Sequence, residues 1–332
     1  MEPTKENRVT KRTLFALIGA LALALSVAAC GEDEDENGTG GGGGGGGSEL
    51  SGNIRIDGSS TVAPLSEPAG EQFNGEHPDV RVTVGTSGTG GGFEKFCAGE
   101  TDISDASRQI EPDEEKLCER NGVEWTEITV ANDALSVVVN PENPVTCMTV
   151  EQLSAIWEPN SELSGWSDVP NLQEDFDAEL DLYGPGTDSG TFDYFTEAIN
   201  GEEGASRTDY NNVGEDDNAT VTGVTGSEGG MGYFGYSFFQ ENQDTLKALE
   251  IDGGDGCVAP TPETAQDGSY KPLGRQLYIY PSAEALGKPA VREFVTFYIE
   301  NSDALAEQAG FIPLTEEQKQ QSLDKVQELA GT

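Results

Sequence analysis

Apolar stretches of strand length alternate along this chain with stretches that have helical periodicity. At three places a strand-like stretch, over residues 53–57, 80–84 or 181–183, is followed by small and hydroxyl residues and then by a helical pattern. Strands that alternate with helices are typical of α/β folds with mostly parallel sheets. The pattern therefore predicts an α/β fold.

The remaining predicted elements continue this alternation. The apolar residues within residues 147–157, for example, recur on one side of a helix. We predict further strands over residues 102–106, 134–139, 229–236 and 275–280, and helices over residues 111–118, 147–157, 288–300 and 315–329.

The turns between strand and helix carry the residues best suited to bind an anion. Small residues at the start of a helix let backbone N–H groups and the positive end of the helix dipole point at one spot. Ser and Thr are also favoured there as local helix caps, and capping leaves other N–H groups free for a ligand. The candidate ligands are Ser60 and Thr61 in the first turn, Ser87 and Thr89 in the second, and Asp188, Ser189, Gly190 and Thr191 in the third.

Ser107 and Arg108 follow the short strand predicted over residues 102–106. The forked guanidinium of an arginine can bind an oxyanion through two parallel hydrogen bonds. An isolated arginine more often forms a surface ion pair, which is the alternative for Arg108. We include both residues in the candidate anion site.

Residues 1–29 have the pattern of a secretory signal peptide. Basic residues precede an apolar run over residues 14–25 that is shorter than a membrane span. The sequence VAAC at residues 27–30 resembles a bacterial lipobox, which implies cleavage before Cys30 and lipid on its thiol; an uncleaved anchor helix is the alternative. Residues 30–50 are acidic and then glycine-rich, which predicts a flexible tether.

Acidic residues dominate the composition of the 332-residue chain. It has 61 Asp and Glu against 18 Lys and Arg, a formal net charge of −43. Such a surface repels nucleic acid and acidic lipids, so we expect no nucleic-acid partner and no membrane contact except through a lipid anchor. It would also repel an anionic ligand, so an anion site must be locally electropositive. The acids are scattered, which favours a solvated surface suited to high salt over a cation-binding role.

The cysteines indicate disulfides rather than a metal site. Apart from Cys30, an even number remains, and in an exported protein this favours two disulfides. Three pairings are possible; we expect Cys97–Cys118, which are close in sequence, and Cys147–Cys257. No CxxC spacing is present, and the only histidine is His77, so we expect no bound metal and no cofactor.

The sequence does not contain the residues of a hydrolytic centre. An exported phosphohydrolase would need a metal cluster or an activated nucleophile, and the spacing of Asp and His residues supplies neither. A surface adhesin or structural lipoprotein would not need three anion-binding turns. We therefore favour a binding protein over an enzyme and assign no catalytic residue.

Several motifs together resemble the phosphate-binding proteins of bacterial ABC-type phosphate importers, the Pst family. They are GSSTVAP at 58–64, SGTGGGFEKFCAGETDISDASRQI at 87–110, LYGPGTDSGTFDYFTEAI at 182–199, GGMGYFGYSFF at 229–239 and RQLYIYPSAEA at 275–285. The resemblance implies a two-lobed periplasmic-binding-protein (type II) fold, each lobe a mixed sheet flanked by helices, with the ligand cleft between them. It places lobe I at residues 52–133 plus 277–332 and lobe II at residues 134–276.

The resemblance assigns donor roles to the hydroxyl residues of all three turns and leaves Ser87 and Thr89 as alternatives in the second. The sequence departs from the best-described members at Ser107, where they have an acceptor aspartate, and at Pro185, where they have an arginine. Asp105 or Asp188 could supply the missing acceptor, and Arg108 could replace the missing arginine. A carboxylate acceptor would favour phosphate over sulfate, which carries no proton.

These observations together predict a lipid-anchored receptor on the outer face of the cell membrane. We expect it to bind inorganic phosphate as a monomer and to deliver it to the permease subunits of an ABC-type importer. The same fold binding sulfate or another tetrahedral oxyanion is the alternative.

Overall fold

The computed structural model describes residues 50–330. The strands are β1 Gly52–Gly58, β2 Val80–Gly85, β3 Ile103–Ala106, β4 Ile128–Val139, β5 Cys147–Thr149, β6 Asp181–Gly184, β7 Asn211–Asn212, β8 Gly230–Gly235, β9 Lys247–Ala248, β10 Glu250–Asp252, β11 Cys257–Val258 and β12 Gly274–Pro281. The helices are α1 Ala63–Glu76, α2 Thr89–Cys97, α3 Pro112–Asn121, α4 Val150–Trp157, α5 Gly190–Asn200, α6 Asp217–Gly226, α7 Tyr236–Asn242, α8 Pro262–Gln266, α9 Ala283–Leu286, α10 Pro289–Glu300, α11 Ser302–Ala309 and α12 Glu316–Ala330, with a 3₁₀ turn at Trp166–Asp168.

A mixed sheet has its strands in the order β2-β1-β3-β12-β4-β8-β6-β7, with β9 paired to β4. β1 is parallel to β2 and β3, and β6 is parallel to β7 and β8. At the centre, β12 is antiparallel to β3 and β4, and β4 is antiparallel to β8. The α/β prediction is confirmed, but the prediction of mostly parallel strands is wrong at the centre. The strand–helix alternation that suggested it is local, whereas β12 pairs with strands far from it in sequence.

Among residues 50–330, two large hydrophobic cores lie along this sheet, beside two smaller clusters. Residues between 54 and 131 and between 277 and 326 form the first, with Phe73 and Phe294 fully buried in it. Residues between 134 and 273, together with Ile312, form the second. β4 contributes to both cores, so the sheet is continuous from one to the other. The predicted lobes divide the chain in the same way, and their boundaries stay predictions.

The helix predicted over residues 147–157 is a short strand followed by a shorter helix. β5 pairs in parallel with β10, and α4 begins only at Val150. Thr149 stops the strand and caps the helix: its Oγ1 accepts from the N–H of Gln152, and the Gln152 side chain accepts from the N–H of Thr149. This capping box is a local helix start, which the apolar periodicity alone did not reveal.

α2 begins at Thr89, before the run of three glycines at residues 90–92. The glycines of the second turn therefore lie inside the helix. One of them is required by packing, because a Cβ at Gly92 would lie 2.5 Å from the Cα of Gly58. The absence of this side chain lets α2 approach the end of β1.

Both expected disulfides are present. Cys97–Cys118 joins α2 to α3, and Cys147–Cys257 joins β5 to β11. Glu250 brings a carboxylate oxygen within 4.8 Å of the sulfurs of Cys147 and Cys257, but sulfurs bonded to each other are poor metal ligands.

Within residues 50–330, no helix is both long and apolar enough to cross a membrane. The predicted signal peptide, the lipidation site at Cys30 and nearly all of the predicted tether lie outside the described residues.

Candidate functional site

A cleft of about 450 Å³ brings together most of the residues predicted as ligands. The turn before α1 and the starts of α2 and α5 all reach this space, since residues of each line it. The predicted site residues in the lining are Ser60, Thr61, Ser87, Thr89, Ser107, Arg108 and Gly190.

The first turn, between β1 and α1, presents donors that no protein group uses. Ser59 holds the turn, because its N–H donates to the carbonyl oxygen of Asp105 at 2.9 Å and its Oγ accepts from the N–H of Thr61 at 3.2 Å. Val62 at the N-cap of α1 makes no side-chain capping bond. Among residues 50–330, the N–H and hydroxyl of Ser60 have no hydrogen-bond partner, so both can donate to a ligand.

The second turn offers backbone donors rather than free hydroxyl groups. Ser87 donates from its N–H and from Oγ to Asp57 Oδ1, at 3.1 and 2.6 Å. Thr89 Oγ1 accepts from the N–H of Ser107 at 3.2 Å. Gly88 caps α2 without a side chain, and the first helical hydrogen bond runs from the N–H of Gly92. The N–H groups of the first turn of α2 are therefore open to the cleft.

The third turn reaches the cleft only in part. Gly190 lines it, whereas Asp188, Ser189 and Thr191 are not in its lining. Ser189 is buried, and its hydroxyl donates to Glu215 Oε2 at 3.5 Å. Asp188 is exposed. The site roles of these three residues stay predictions.

Arg108 lies in the cleft but is already paired. Its Nη1 and Nη2 donate to the carboxylate of Glu114 at 2.8 and 2.9 Å, and its Nε lies 3.4 Å from Glu111 Oε1. Hydrogen bonding of the guanidinium to the Glu114 carboxylate raises the pKa of Arg108 above its ordinary value. Glu114 also belongs to the capping box of α3. Arg108 therefore lines the cleft and forms an ion pair at the same time, so both of the alternatives considered for it apply.

Arg275 lines the cleft but was not among the residues predicted from the sequence. It lies opposite Asp133 in the pairing of β12 with β4, and its Nε is 3.1 Å from Asp133 Oδ2. The side chains are only 15% and 9% exposed, so this is a largely buried ion pair. Its Nη2 lies 3.4 Å from Thr61 Oγ1, and its Cζ lies 3.4 Å from the centroid of the Tyr194 ring. Arg275 therefore contacts both central strands, the first turn and α5.

A signal for Arg275 was present in the sequence. Arg275 is the first residue of the motif RQLYIYPSAEA, which contributed to the family resemblance. An arginine before an apolar strand is common, however, so the local pattern does not mark it as a ligand. Its role depends on the register of β12 against β4 and on the approach of α5, which are long-range features.

Asp105, one of the suggested acceptors, does not reach the cleft. The residue is fully buried in β3, and its neighbours include the hydroxyls of Ser66 and Tyr298, which hydrogen-bond to each other at 3.0 Å. Burial raises the pKa of Asp105 to about 8. Successive side chains of a strand point to opposite faces, and this one points into the first core.

Carboxylates line the cleft in places where the sequence predicted an electropositive environment. They belong to Glu111, Asp193, Glu197 and Glu203. Burial and the nearby charges of Glu203 and Glu197 raise the pKa of Asp193 above its ordinary value. Acidic residues such as Asp193 and Glu197 are common on the solvated face of an amphipathic helix. The sequence alone therefore did not indicate that they line the cleft.

Comparisons with known proteins identify relatives over most of the chain. Residues 43–302 match a family model described as a PBP superfamily domain. Protein SphX of Synechocystis sp. is 47% identical over 274 residues, which cover 81% of this chain and 81% of that protein. The phosphate-binding protein PstS of Staphylococcus saprophyticus is 38% identical over 284 residues, covering 84% of this chain and 86% of that protein.

A solved structure agrees with these matches. The crystal structure of a possible phosphate binding protein from Planctomyces limnophilus has a TM-score of 0.79 and 44% sequence identity, and the match covers 85% of this chain and 99% of that one. The predicted periplasmic-binding-protein fold is thereby confirmed. The chain belongs to the PBP superfamily and, within it, to the family of PstS phosphate-binding proteins.

Proposed function

We propose that this protein is an extracytoplasmic receptor that captures inorganic phosphate in the cleft and delivers it to an ABC-type importer. The observation that carries the proposal is that the turn before α1 and the starts of α2 and α5 meet at one space beside Arg275. Tetrahedral oxyanions are bound by such clusters of backbone N–H groups, and an arginine adds a forked positive charge. The names of the relatives, which include phosphate-binding proteins, support the same ligand.

In the proposed site, Ser60 and the first turn of α2 donate N–H groups, and Arg275 binds the anion from the central strands. The second turn is held in place by the hydrogen bonds of Ser87 to Asp57 and by those between Thr89 and Ser107. Arg108 donates from the edge of the cleft. Asp188, Ser189 and Thr191 belong to the site through the third turn, whose Gly190 lines it.

The two cores support a clamp of two lobes, residues 52–133 plus 277–332 and residues 134–276. β4 and β12 would connect the lobes, since β4 enters both cores and pairs with β12 along the way. A ligand that contacts both lobes stabilises the closed arrangement, so binding would be linked to closure.

The proposal also includes a lipid anchor at Cys30, a monomeric state and the permease subunits as partners. The lipobox-like sequence and the acidic, glycine-rich tether support attachment to the outer face of a membrane. The relative from Staphylococcus saprophyticus is named a phosphate-binding protein, which supports a receptor rather than an exported phosphohydrolase.

Sulfate is the second candidate ligand because residue 107 is a serine, where the resemblance to the Pst family implies an acceptor aspartate. Without an acceptor, a site made of donors would not distinguish the two anions. The carboxylates of the cleft lining are the available groups that could restore the distinction.

The test is calorimetric titration of the mature, unlipidated protein with phosphate and then with sulfate, at low and high salt. We expect phosphate to bind and sulfate not to compete with it. Equal binding of both anions would change the proposed ligand to tetrahedral oxyanions in general. If a folded sample bound neither, the family membership would stand without the proposed function.

A further inference from the structure

Unpaired carboxylates line the cleft next to its anion-binding donors. Asp193 and Glu197 lie on α5, and Glu203 lies shortly after its end. We call these three residues the carboxylate wall. Within the described part of the chain, residues 50–330, none of their side chains makes an ion pair or a hydrogen bond.

The arginines of the cleft do not neutralise this wall, because each already has a carboxylate partner outside it. Arg108 is held by both oxygens of Glu114, and Arg275 is paired with the buried Asp133. A paired arginine still donates hydrogen bonds to a ligand, but its charge is largely balanced. The negative charge of the wall is therefore left uncompensated.

The wall carboxylates are close enough to affect one another and the cations. Burial, then the charges of Glu203 and Glu197, raise the pKa of Asp193. The charge of Glu197 contributes to raising the pKa of Arg108 and of Tyr194. The negative potential thus extends over the space that the ligand would occupy.

The negative potential of the carboxylate wall acts on the charge of the bound phosphate. Near neutral pH, phosphate exists as a dianion with one proton and as a monoanion with two. Repulsion between like charges in a partly desolvated cleft grows with the charge of the ligand. The monoanion carries less charge, and its second O–H can donate to a carboxylate, which is a strong type of hydrogen bond.

We propose that the carboxylate wall makes this cleft selective for the doubly protonated monoanion of phosphate. The inference rests on the proposed function and adds the species of ligand that is captured. Above the second ionisation of phosphate, each binding event then takes one proton from the buffer, and this proton resides on the ligand. Affinity falls as pH rises through that range, by up to about tenfold per pH unit for one proton.

Other charged and titratable groups around the wall belong to the elements packed against it. They are Glu111 and Glu114 of the α3 start, Arg108 before it, Asp133 of β4, Arg275 of β12, Tyr194 of α5, and Tyr210 and Tyr233 near Asp193. Burial raises the pKa of Asp133, opposed by the charge and hydrogen bond of Arg275, and burial keeps the tyrosines protonated by raising their pKa values. Titration of phosphate itself is the source of the pH dependence that we expect, and sulfate binding separates it from a titration of Asp133.

The test is calorimetric titration of the purified protein with phosphate between about pH 6 and about pH 9, in buffers with different enthalpies of ionisation. We expect uptake of one proton and weakening of about tenfold per pH unit at the alkaline end. The combined variant Asp193→Asn, Glu197→Gln, Glu203→Gln should bind more tightly than wild type at the alkaline end and lose most of the slope.

The matched control is Glu202→Gln, which removes the same charge from the neighbouring exposed residue that does not line the cleft. It should keep the wild-type slope. Glu203→Gln alone changes an exposed side chain and should lower the slope without affecting folding.

Sulfate, which stays a dianion over this range, distinguishes the position of the proton. We expect weak sulfate binding that does not change with pH in wild type and improves in the combined variant. Sulfate affinity that falls with pH as steeply as that of phosphate would place the proton on the protein and overturn the inference. Phosphate binding that is independent of pH, or a combined variant with the wild-type slope, would overturn it while leaving the proposed function intact. No phosphate binding at any pH would overturn both.

Discussion

Arg275 is the single side chain on which the proposed binding of phosphate depends most. Replacing it with Gln removes the forked cation of the cleft. Hydrogen bonds to charged groups contribute about 1.5–3 kcal/mol each, so we expect Arg275→Gln to weaken phosphate binding about tenfold to a hundredfold in a calorimetric titration. Arg108→Gln should cost less, because Glu114 already holds that guanidinium.

The matched control is Arg55→Gln. Arg55 is also paired with an aspartate, with its Nε 3.3 Å from Asp102 Oδ2, but it lines a different cavity. Its replacement should leave phosphate affinity unchanged. Arg275→Lys keeps a charge next to the buried Asp133 and separates loss of binding from loss of folding. An Arg275→Gln variant that is folded and binds like wild type would remove Arg275 from the site.

Asp105 makes a second prediction at the residue scale, concerning stability. Burial raises its pKa from 3.8 to about 8, so the folded state holds a proton that the unfolded state releases between these values. The contribution of this group to the free energy of unfolding therefore falls as pH rises from about 4 to about 8. Asp105→Asn removes the ionisation, so the variant should gain thermal stability over wild type as pH rises in this window.

Asp57→Asn provides a control of opposite sign. Although burial raises the pKa of Asp57, hydrogen bonds from Lys95 and Ser87 hold it below its ordinary value. Asp57 therefore stabilises the fold when ionised, and that contribution is lost as pH falls through its lowered pKa. Its replacement should destabilise the protein near neutral pH. If Asp105→Asn instead lowered the melting temperature at pH 8, the conclusion that Asp105 is buried in its protonated form would be wrong.

The sequence revealed the residues whose pattern is local. Ser60, Thr61 and Thr89 stand in hydroxyl-rich stretches where helices begin, and all three line the cleft, while their role as ligands stays a prediction. The orientation of Ser189 toward Glu215 and the pairing of Arg275 with Asp133 depend on contacts between distant segments. No local pattern encodes such contacts.

At the scale of elements, the fit of α2 against the end of β1 positions the second turn. A Cβ at residue 92 would lie 2.5 Å from Gly58 Cα and 2.9 Å from Ser104 Oγ. Backbone there cannot move aside cheaply, so we expect Gly92→Ala to destabilise the fold by about 1–3 kcal/mol and to weaken phosphate binding. Denaturant unfolding and calorimetric titration measure the two effects.

Gly75→Ala is the control, since a Cβ at this position in α1 would meet nothing within 4 Å. Alanine favours a helix over glycine by up to about 1 kcal/mol, so this variant should be as stable as wild type or slightly more stable. A Gly92→Ala variant with unchanged stability and affinity would show that the close approach is not needed.

Periodicity located most elements but not all of their boundaries. Residues 147–157 have a helical pattern throughout, yet β5 occupies the first part because β10 offers it a pairing partner. The glycines before Phe93 suggested a turn, but they form the first turn of α2. In both cases tertiary contacts outweighed local preference.

At the scale of the whole molecule, the family resemblance supplied what local patterns could not. The chain returns to the first core through β12. Hydrophobic periodicity does not predict this return, whereas the family resemblance implied it. The composition indicated a strongly acidic protein, but only the fold shows acids such as Glu197 lining the anion cleft itself. The protein would thus capture an anion despite a formal net charge of −43 by using uncharged N–H donors and paired arginines.

The most direct measurement of the central claim is a crystal structure of the protein grown with phosphate. We expect one phosphate in the cleft, hydrogen-bonded to the N–H of Ser60, to the first turn of α2 and to the guanidinium of Arg275. Well-ordered phosphate at another place, or an empty cleft at saturating phosphate, would contradict the account.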